Sequence, residues 1–203
     1  MARVVGIGHQ DFETVRRKNN FYIDKTEFIK EWWESDDAVT LITRPRRFGK
    51  TLNMSMLEKF FSIEYAKRDE LFEGLNIWKY KEYREIQGTY PVIFLSFANV
   101  KENTYDQARE SICRIIQELY NKNVFLLQSN LLTDNEKEEY KQISTKMNDS
   151  MISDSVRKMS DYLSRYYGKK TIILLDEYDT PIQEAYVGGF WPDLMGVIRA
   201  LLN

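Results

Sequence analysis

Three apolar runs without polar alternation divide the chain, and each predicts a buried β-strand. They occupy residues 38–43 (AVTLIT), 90–97 (YPVIFLSF) and 171–175 (TIILL). A strand that is covered on both faces shows this continuous pattern, whereas a half-exposed strand alternates apolar and polar residues. The runs therefore predict strands of a parallel sheet that is buried between layers of helices.

Apolar residues spaced by three and four positions predict helices around these strands. The predicted helices cover residues 11–18, 25–34, 52–65, 103–120, 134–145, 153–168 and 188–203. In the third helix, one side is formed by Met56, Leu57, Phe60, Phe61 and Glu64. Asp11 and Asp24 are the expected N-caps of the first two helices, and Gly168 is an expected C-terminal stop. The order of elements predicts an α/β fold with parallel strands, which bind ligands at their carboxyl ends.

The loop after the first predicted strand ends like a phosphate-binding loop and reads LITRPRRFGKT, residues 41–51. Gly49 permits close approach of the backbone to an anion, and Lys50 supplies a mobile cation for the β- and γ-phosphates. Thr51 places a hydroxyl on Mg²⁺ at the helix start. The predicted nucleotide-binding residues are Arg44, Pro45, Arg46, Arg47, Phe48, Gly49, Lys50, Thr51 and Leu52.

An arginine stands at the start of this loop, where the usual spacing G-x-x-x-x-G-K-[ST] has a glycine. Pro45 fixes its own φ angle and holds the backbone of Arg44 extended. The loop can therefore turn because proline restricts its backbone, without the flexible backbone of a glycine. Arg44, Arg46 and Arg47 either lend charge to the phosphates or a partner chain, or form a solvated basic patch. The intact Gly-Lys-Thr end argues against a decayed loop.

Two acidic residues directly follow the third apolar run, in the sequence IILLDE. In P-loop enzymes such a strand ends in an acid that holds the Mg²⁺ shell. In hydrolytic members the next glutamate activates water. Asp176 is therefore a candidate metal residue together with Thr51, and Glu177 is the candidate catalytic residue. The alternative is that the acidic pair merely ends a strand at the protein surface.

Composition argues against several other kinds of site. The 203 residues carry 29 basic and 31 acidic side chains, so the net charge of −2 predicts neither nucleic-acid nor membrane binding. Cys113 is the single cysteine and is expected in the core; His9 is the single histidine. A disulfide, a cysteine-built zinc site and a histidine-based triad are therefore not expected. No membrane span and no secretory segment are expected, and a cytoplasmic location fits.

Four segments carry a resemblance to a known family: RPRRFGKT, LLDEYDTPI, YPVIFLSF and the opening DFETVRRKNNFYIDKTEFIKEW. Together they resemble the bacterial AAA-ATPase-like family, which is found beside, or fused to, PD-(D/E)xK nuclease-like domains. The resemblance spans essentially the whole chain and implies a P-loop NTPase three-layer sandwich with a mostly parallel sheet. In this family the Arg-Pro-Arg-Arg lead-in is the normal loop.

The same resemblance implies an ATPase of the additional-strand, catalytic-glutamate type, with ATP and Mg²⁺ as cofactors. It assigns Lys50 and Thr51 to phosphate and Mg²⁺, Asp176 to Mg²⁺ and Glu177 to the base that activates water. Asp179 and Pro181 belong to the same family signature. The predicted function is Mg²⁺-dependent ATP binding and, in the complete protein, ATP hydrolysis that acts as a molecular switch.

Family members continue for several hundred residues, so the resemblance also implies that this chain is truncated before the sensor strand. We expect residues 1–36 to form an N-terminal helical segment and residues 37–203 a nucleotide-binding core with weak hydrolysis. Besides nucleotide, the expected partners are a second copy of the chain and nucleic acid bound through an absent C-terminal domain.

Two other functions stay open from the sequence. One is a nucleic-acid-binding module that uses the loop arginines with Arg16, Arg17 and Lys18; the other is a protein-interaction scaffold in which nucleotide is structural only. Aromatic residues near the N-terminus also allow two interpretations. They either stack on an adenine base or pack the first helix against the sheet; these residues are Phe12, Phe21 and Tyr22.

Overall fold

The computed structural model describes residues 4–6, 8–43 and 48–202. Its residues cluster into two compact units, Met1–Val92 and Ile93–Asn203. The two units are defined by how closely their residues pack. They do not test the boundary expected after residue 36, between the N-terminal helical segment and the nucleotide-binding core, so that boundary stays a prediction.

The first unit is helical, and its helices begin largely where the sequence pattern predicts. The Asp11 carboxylate accepts a hydrogen bond from the Thr14 amide at 2.7 Å, as expected of an N-cap. The helices are α1 (Phe12–Arg17), α2 (Glu27–Ser35), α3 (Lys50–Phe61) and α4 (Lys81–Ile86), with 3₁₀ turns at Ile63–Tyr65, Asp69–Leu71 and Asn76–Lys79. Helix α4 and the 3₁₀ turns were not predicted.

The prediction that Asp24 is the N-cap of α2 is wrong. The residue before α2 is Thr26, which makes no side-chain capping bond to the helix. Asp24 instead accepts bonds from the amide and hydroxyl of Thr26 and from the amide of Asn76. The long-range bond to Asn76 satisfies a backbone donor at the start of a 3₁₀ turn, a role that local sequence does not reveal.

Aromatic side chains form the core of the first unit. Phe12 stacks on Phe72 with ring centroids 5.2 Å apart, and Phe60 meets Phe72 edge to face at 5.1 Å. Trp33 of α2 stacks on Phe61 of α3 at 5.1 Å. The predicted apolar side of the third helix is confirmed, since all its apolar members are buried: Met56, Leu57, Phe60 and Phe61.

The strand predicted at residues 38–43 is wrong, because this segment has no regular structure. Val39 is 88% exposed and Leu41 is 64% exposed. A strand depends on backbone hydrogen bonds to a neighbouring strand, and within the described part of the chain no strand pairs with this segment. The apolar composition therefore marks a segment able to form a strand, while pairing decides whether it does.

A two-stranded parallel sheet is formed by β1 (Val92–Ser96) and β2 (Ile172–Asp176), and all its residues except Val92 belong to the second unit. Both strands were predicted, and the Phe97 amide extends the ladder by donating to the Asp176 carbonyl at 2.9 Å. The prediction that both faces of these strands are buried is wrong. In β1 the residues alternate between buried and partly exposed, and Ile173 of β2 is 41% exposed. Alternate side chains point to opposite faces, so one face is fully packed and the other is partly open.

The helices of the second unit carry local end signals. Thr104 caps the first of them, Thr133 and Glu136 form a capping box, and Gly168 ends the third in the left-handed conformation, as predicted. The helices are α5 (Tyr105–Lys122), α6 (Asp134–Lys141), α7 (Asp149–Tyr167), α8 (Thr180–Gly188) and α9 (Trp191–Leu202), with a 3₁₀ turn at Val124–Gln128. Helix α6 ends before the predicted residue 145.

The core of the second unit lies between α5, α7 and α9. Cys113 of α5 is fully buried, which confirms its expected core position, and burial raises the pKa of its thiol. Among the helices that the structure describes, none has both the length and the apolar character needed to cross a bilayer. The chain is thus an α/β protein with a small parallel sheet and many helices.

Candidate functional site

The start of α3 carries the described part of the predicted phosphate loop. Gly49 precedes the helix with φ 79° and ψ 26°, in the left-handed region that glycine adopts at little cost. Phe48 is 60% exposed, while Lys50, Thr51 and Leu52 form the first turn and are partly buried. Four predicted nucleotide-binding residues lie outside the described residues: Arg44, Pro45, Arg46 and Arg47.

The amino end of α3 is suited to an anion. The Gly49 carbonyl accepts the Asn53 amide at 2.9 Å, so the helix proper begins here. Gly49 at the N-cap position provides no side-chain capping bond, and the first turn of the helix contains no acidic residue. The first amides of a helix lack intrahelical acceptors and carry its positive dipole end. An anionic group placed here would therefore receive several N–H donors.

A polar network fixes α3 to α1 below this end. The Phe12 amide donates to the Ser55 hydroxyl at 3.0 Å, and the Lys59 ammonium lies 3.4 Å from the Asp11 carboxylate and 2.7 Å from that of Glu58. Burial lowers the pKa of Lys59, but its bonds to Glu58 and Tyr65 outweigh burial and raise it overall. Lys59 therefore stays charged, and its role is to stabilise the contact between α1 and α3.

The segment Asp24-Lys25-Thr26 approaches Gly49 through its middle residue. A Cβ atom built on Gly49 would lie 3.8 Å from the Lys25 Nζ atom. Thr26 is fully buried and its hydroxyl accepts the Ile77 amide at 3.1 Å, whereas Lys25 is exposed. Sequence reasoning missed Lys25, because its 24-residue separation from Gly49 gives no local pattern.

The candidate acidic residues lie at the carboxyl end of β2 in the second unit. Asp176 is the last strand residue and is 4% exposed. Glu177 follows with φ 51°, a left-handed conformation that side-chain-bearing residues rarely adopt. Thr180 donates its amide to the Glu177 carbonyl at 3.0 Å and its hydroxyl to the carboxylate at 3.2 Å. These bonds hold Glu177 directly after the strand.

The remaining signature residues begin α8, a helix that was not predicted. Asp179 is the residue before the helix and its carboxylate accepts a bond from the Gln183 side chain at 2.9 Å. Pro181 lies in the first turn, where proline is tolerated because its missing amide would have no intrahelical acceptor. Gly189 ends the helix with φ 79°. Proline after the start and glycine after the end were the available sequence signals.

The aromatic residues near the N-terminus differ in accessibility. Phe12 is fully buried between Tyr22 and Phe72, so it packs the helix and offers no face to a base. Tyr22 is half-buried; its hydroxyl donates to the Met56 sulfur at 3.4 Å, and burial raises its pKa to about 12. Phe21 is 54% exposed. Of the three, Phe21 is the one with a largely accessible ring.

Two basic residues proposed for nucleic acid have partners within the first unit. Arg16 donates to the Leu71 and Glu73 carbonyls, both at 2.7 Å. Arg17 pairs with Glu13 at 3.0 Å. Arg16 therefore connects α1 to a distant loop, which weakens its assignment to nucleic acid, whereas the Arg17 side chain stays 62% exposed. In the described part of the chain, no cluster of three or more His, Cys, Asp or Glu side chains could hold a metal.

Comparison with known proteins gives one family match and one curated relative. A family model named AAA-ATPase-like, described as predicted AAA-ATPase, matches residues 6–202. An Azotobacter chroococcum mcd 1 protein, described as an uncharacterized protein in the vnfD 5'region, is 28% identical over 177 residues. That alignment covers 87% of this chain and 29% of the relative, so the chain spans under a third of its length. No solved structure matches.

Proposed function

This chain belongs to the AAA-ATPase-like family of predicted AAA-ATPases, and on that premise we propose that it binds ATP with Mg²⁺. The proposal extends to ATP hydrolysis as a molecular switch in the full-length protein. The observation that carries it is the start of α3, where Gly49 adopts a left-handed conformation directly before Lys50 and Thr51. The P-loop sandwich is the fold that would use these residues as a phosphate cradle.

The proposed contacts follow from the chemistry of each group. The amides at the start of α3 and the Lys50 ammonium bind the β- and γ-phosphates. The Thr51 hydroxyl is an oxygen donor of the kind that Mg²⁺ accepts, and the Asp176 carboxylate is another, so each would be suited to hold the ion. When bound, Mg²⁺ neutralises charge on the phosphates. The loop residues Arg44, Pro45, Arg46, Arg47, Phe48 and Leu52 would complete the cradle.

Glu177 is the proposed base for hydrolysis. Its carboxylate orients a water molecule and accepts a proton as the water oxygen attacks the γ-phosphorus. The bond between that phosphorus and the bridging oxygen breaks and leaves ADP and phosphate. The hydrogen bonds from Thr180 support this role, because they restrict the position of the carboxylate before substrate binds.

The test is calorimetric titration of ATP into this chain, with and without Mg²⁺. Lys50→Ala should abolish measurable binding, because it removes the cation that faces the phosphates. Glu177→Gln should bind with unchanged affinity, and in the full-length protein it should lower single-turnover hydrolysis by about a hundredfold or more, the range of general-base catalysis.

Lys81→Ala is the matched control, since Lys81 is an exposed lysine at the start of α4. It should bind ATP like the wild type. Retention of full affinity by Lys50→Ala would refute the assignment of the phosphate site, and unchanged hydrolysis by Glu177→Gln would refute the assignment of the base.

A further inference from the structure

We infer that Lys25 is a second cation of the phosphate site and binds the polyphosphate of the nucleotide beside Lys50. This inference rests on the proposed function, since it adds a residue from the N-terminal segment to that site. The proposed contact of Lys25 is with the phosphates of the nucleotide and not with its base or ribose.

The first support is position. The Lys25 Nζ atom lies 3.8 Å from where a Cβ atom of Gly49 would stand, which places an ammonium group beside the residue that begins α3. Gly49 directly precedes the first amides of the helix, so a cation beside it lies near the helix end that attracts anions. A lysine side chain has four methylene groups, and small torsional changes can carry its ammonium onto a bound anion.

The second support is the anchoring of the residues on both sides. Asp24 accepts the Asn76 amide at 2.7 Å, and the buried Thr26 hydroxyl accepts the Ile77 amide at 3.1 Å. Each flanking residue thus satisfies a backbone donor of the 3₁₀ turn Asn76–Lys79. The backbone of Lys25 is held from both sides, while its side chain extends into solvent. A fixed backbone reduces the entropy lost when the side chain binds.

The third support is charge. Within the described ranges, neither Lys25 nor Lys50 forms an ion pair, and the first turn of α3 contains no acidic residue. The Lys25 ammonium group therefore lies near Gly49, next to the helix start that contains Lys50, without an internal counter-charge from those residues. Such an arrangement is unfavourable by itself and becomes favourable when an anion of several charges binds.

The experiment compares Lys25→Met, Lys25→Arg and the control Lys81→Met by calorimetric titration with Mg-ATP. Lys25→Met should weaken ATP binding by about tenfold or more, the loss expected for one charge-assisted hydrogen bond. Lys25→Arg should restore most of the affinity. Lys81→Met removes the same charge from an exposed helix start and should change affinity by less than about twofold.

A second ligand locates the contact on the nucleotide. Inorganic tripolyphosphate, measured in competition with ATP, should lose affinity for Lys25→Met by the same factor as ATP. The melting temperature of Lys25→Met without ligand should equal that of the wild type, because the side chain is exposed.

Each remaining outcome decides against the inference in a recognisable way. If Lys50→Ala loses ATP while Lys25→Met binds like Lys81→Met, the role of Lys25 is wrong and the proposed function stands. If Lys25→Met weakens ATP but not tripolyphosphate, the contact is not with the phosphates. If the wild type binds no ATP, the proposed function and the role of Lys25 both fail.

Discussion

The carboxylate of Asp24 joins the N-terminal segment to the 3₁₀ turn Asn76–Lys79 through three donors. It accepts bonds from the Thr26 amide and hydroxyl, at 2.9 and 2.7 Å, and from the Asn76 amide at 2.7 Å. Burial raises its pKa, but these bonds outweigh burial, so the pKa lies below the usual 3.8. At the residue scale, Asp24 therefore stabilises the first unit in its ionised form.

Asp24→Asn should destabilise the first unit by about 1.5–3 kcal/mol, because an amide cannot accept the bonds that both carboxylate oxygens now accept. Urea denaturation followed by tryptophan fluorescence measures this, since Trp32, Trp33 and Trp78 lie in the first unit. The conservative control Asp37→Asn changes an exposed carboxylate and should leave the midpoint unchanged.

Stability should also depend on pH through Asp24. A folded-state pKa below the unfolded value means that the ionised group stabilises the protein above about pH 4 and that this contribution is lost as pH falls through the folded-state pKa. The urea midpoint of the wild type should therefore fall between about pH 5 and pH 3. The urea midpoint of Asp24→Asn should fall less over this pH range. An equal fall of the midpoint in both proteins would contradict the role of Asp24.

At the element scale, glycines at positive φ end helices and turns for two different physical reasons. Gly168 ends α7 with φ 66°, and a Cβ atom there would meet open space. Gly88 also has φ 66°, but its Cβ would lie 2.5 Å from the Ala66 Cα atom, and its amide donates to the Phe60 carbonyl at 2.7 Å. Conformation alone requires the first glycine, while conformation and close backbone packing require the second.

Gly168→Ala should lower the free energy of unfolding by about 1–2 kcal/mol, the cost of placing a side chain in the left-handed region. Gly88→Ala should cost more, because the backbone around Ala66 must also move. Guanidinium denaturation of the two variants measures the difference. Equal losses would show that the contact at Ala66 relaxes without cost.

At the scale of the whole molecule, strand formation depends on which segments find partners. The runs at 90–97 and 171–175 pair with each other and form β1 and β2, whereas the equally apolar run at 38–43 pairs with no strand in the described part of the chain. Its side chains are exposed except for Ile42, which is partly buried, and the Thr40 hydroxyl accepts a bond from the Trp32 indole at 3.1 Å. Apolar residues here therefore add little to the stability of the first unit.

Val39→Lys and Leu41→Lys should each change the free energy of unfolding by less than about 0.5 kcal/mol, as expected for exposed positions. Phe60→Ala, at a fully buried position of the same unit, should cost about 3–5 kcal/mol. Thermal denaturation of the three variants provides the comparison. A large loss for Val39→Lys would mean that the segment is buried in solution.

The candidate site was predictable from sequence to the extent that its residues are consecutive. Gly49, Lys50 and Thr51 are neighbours in sequence and lie together at a helix start. Asp176 is the last residue of β2, where the pattern predicts an acid directly after the strand, and Glu177 comes next. Lys25 was not predictable, because it reaches Gly49 only after the segment that contains it is anchored at residues 76 and 77.

The amino-acid sequence by itself determined most of the helices, the N-cap Asp11, the C-terminal stop Gly168 and the existence of β1 and β2. Helical hydrogen bonds and caps join residues three or four positions apart, so the local pattern contains the information needed. Only the tertiary structure decided that residues 38–43 form no strand, that β1 packs fully on one face and that Asp24 supports a distant turn. These outcomes depend on contacts between residues far apart in sequence, and such contacts are settled when the chain packs.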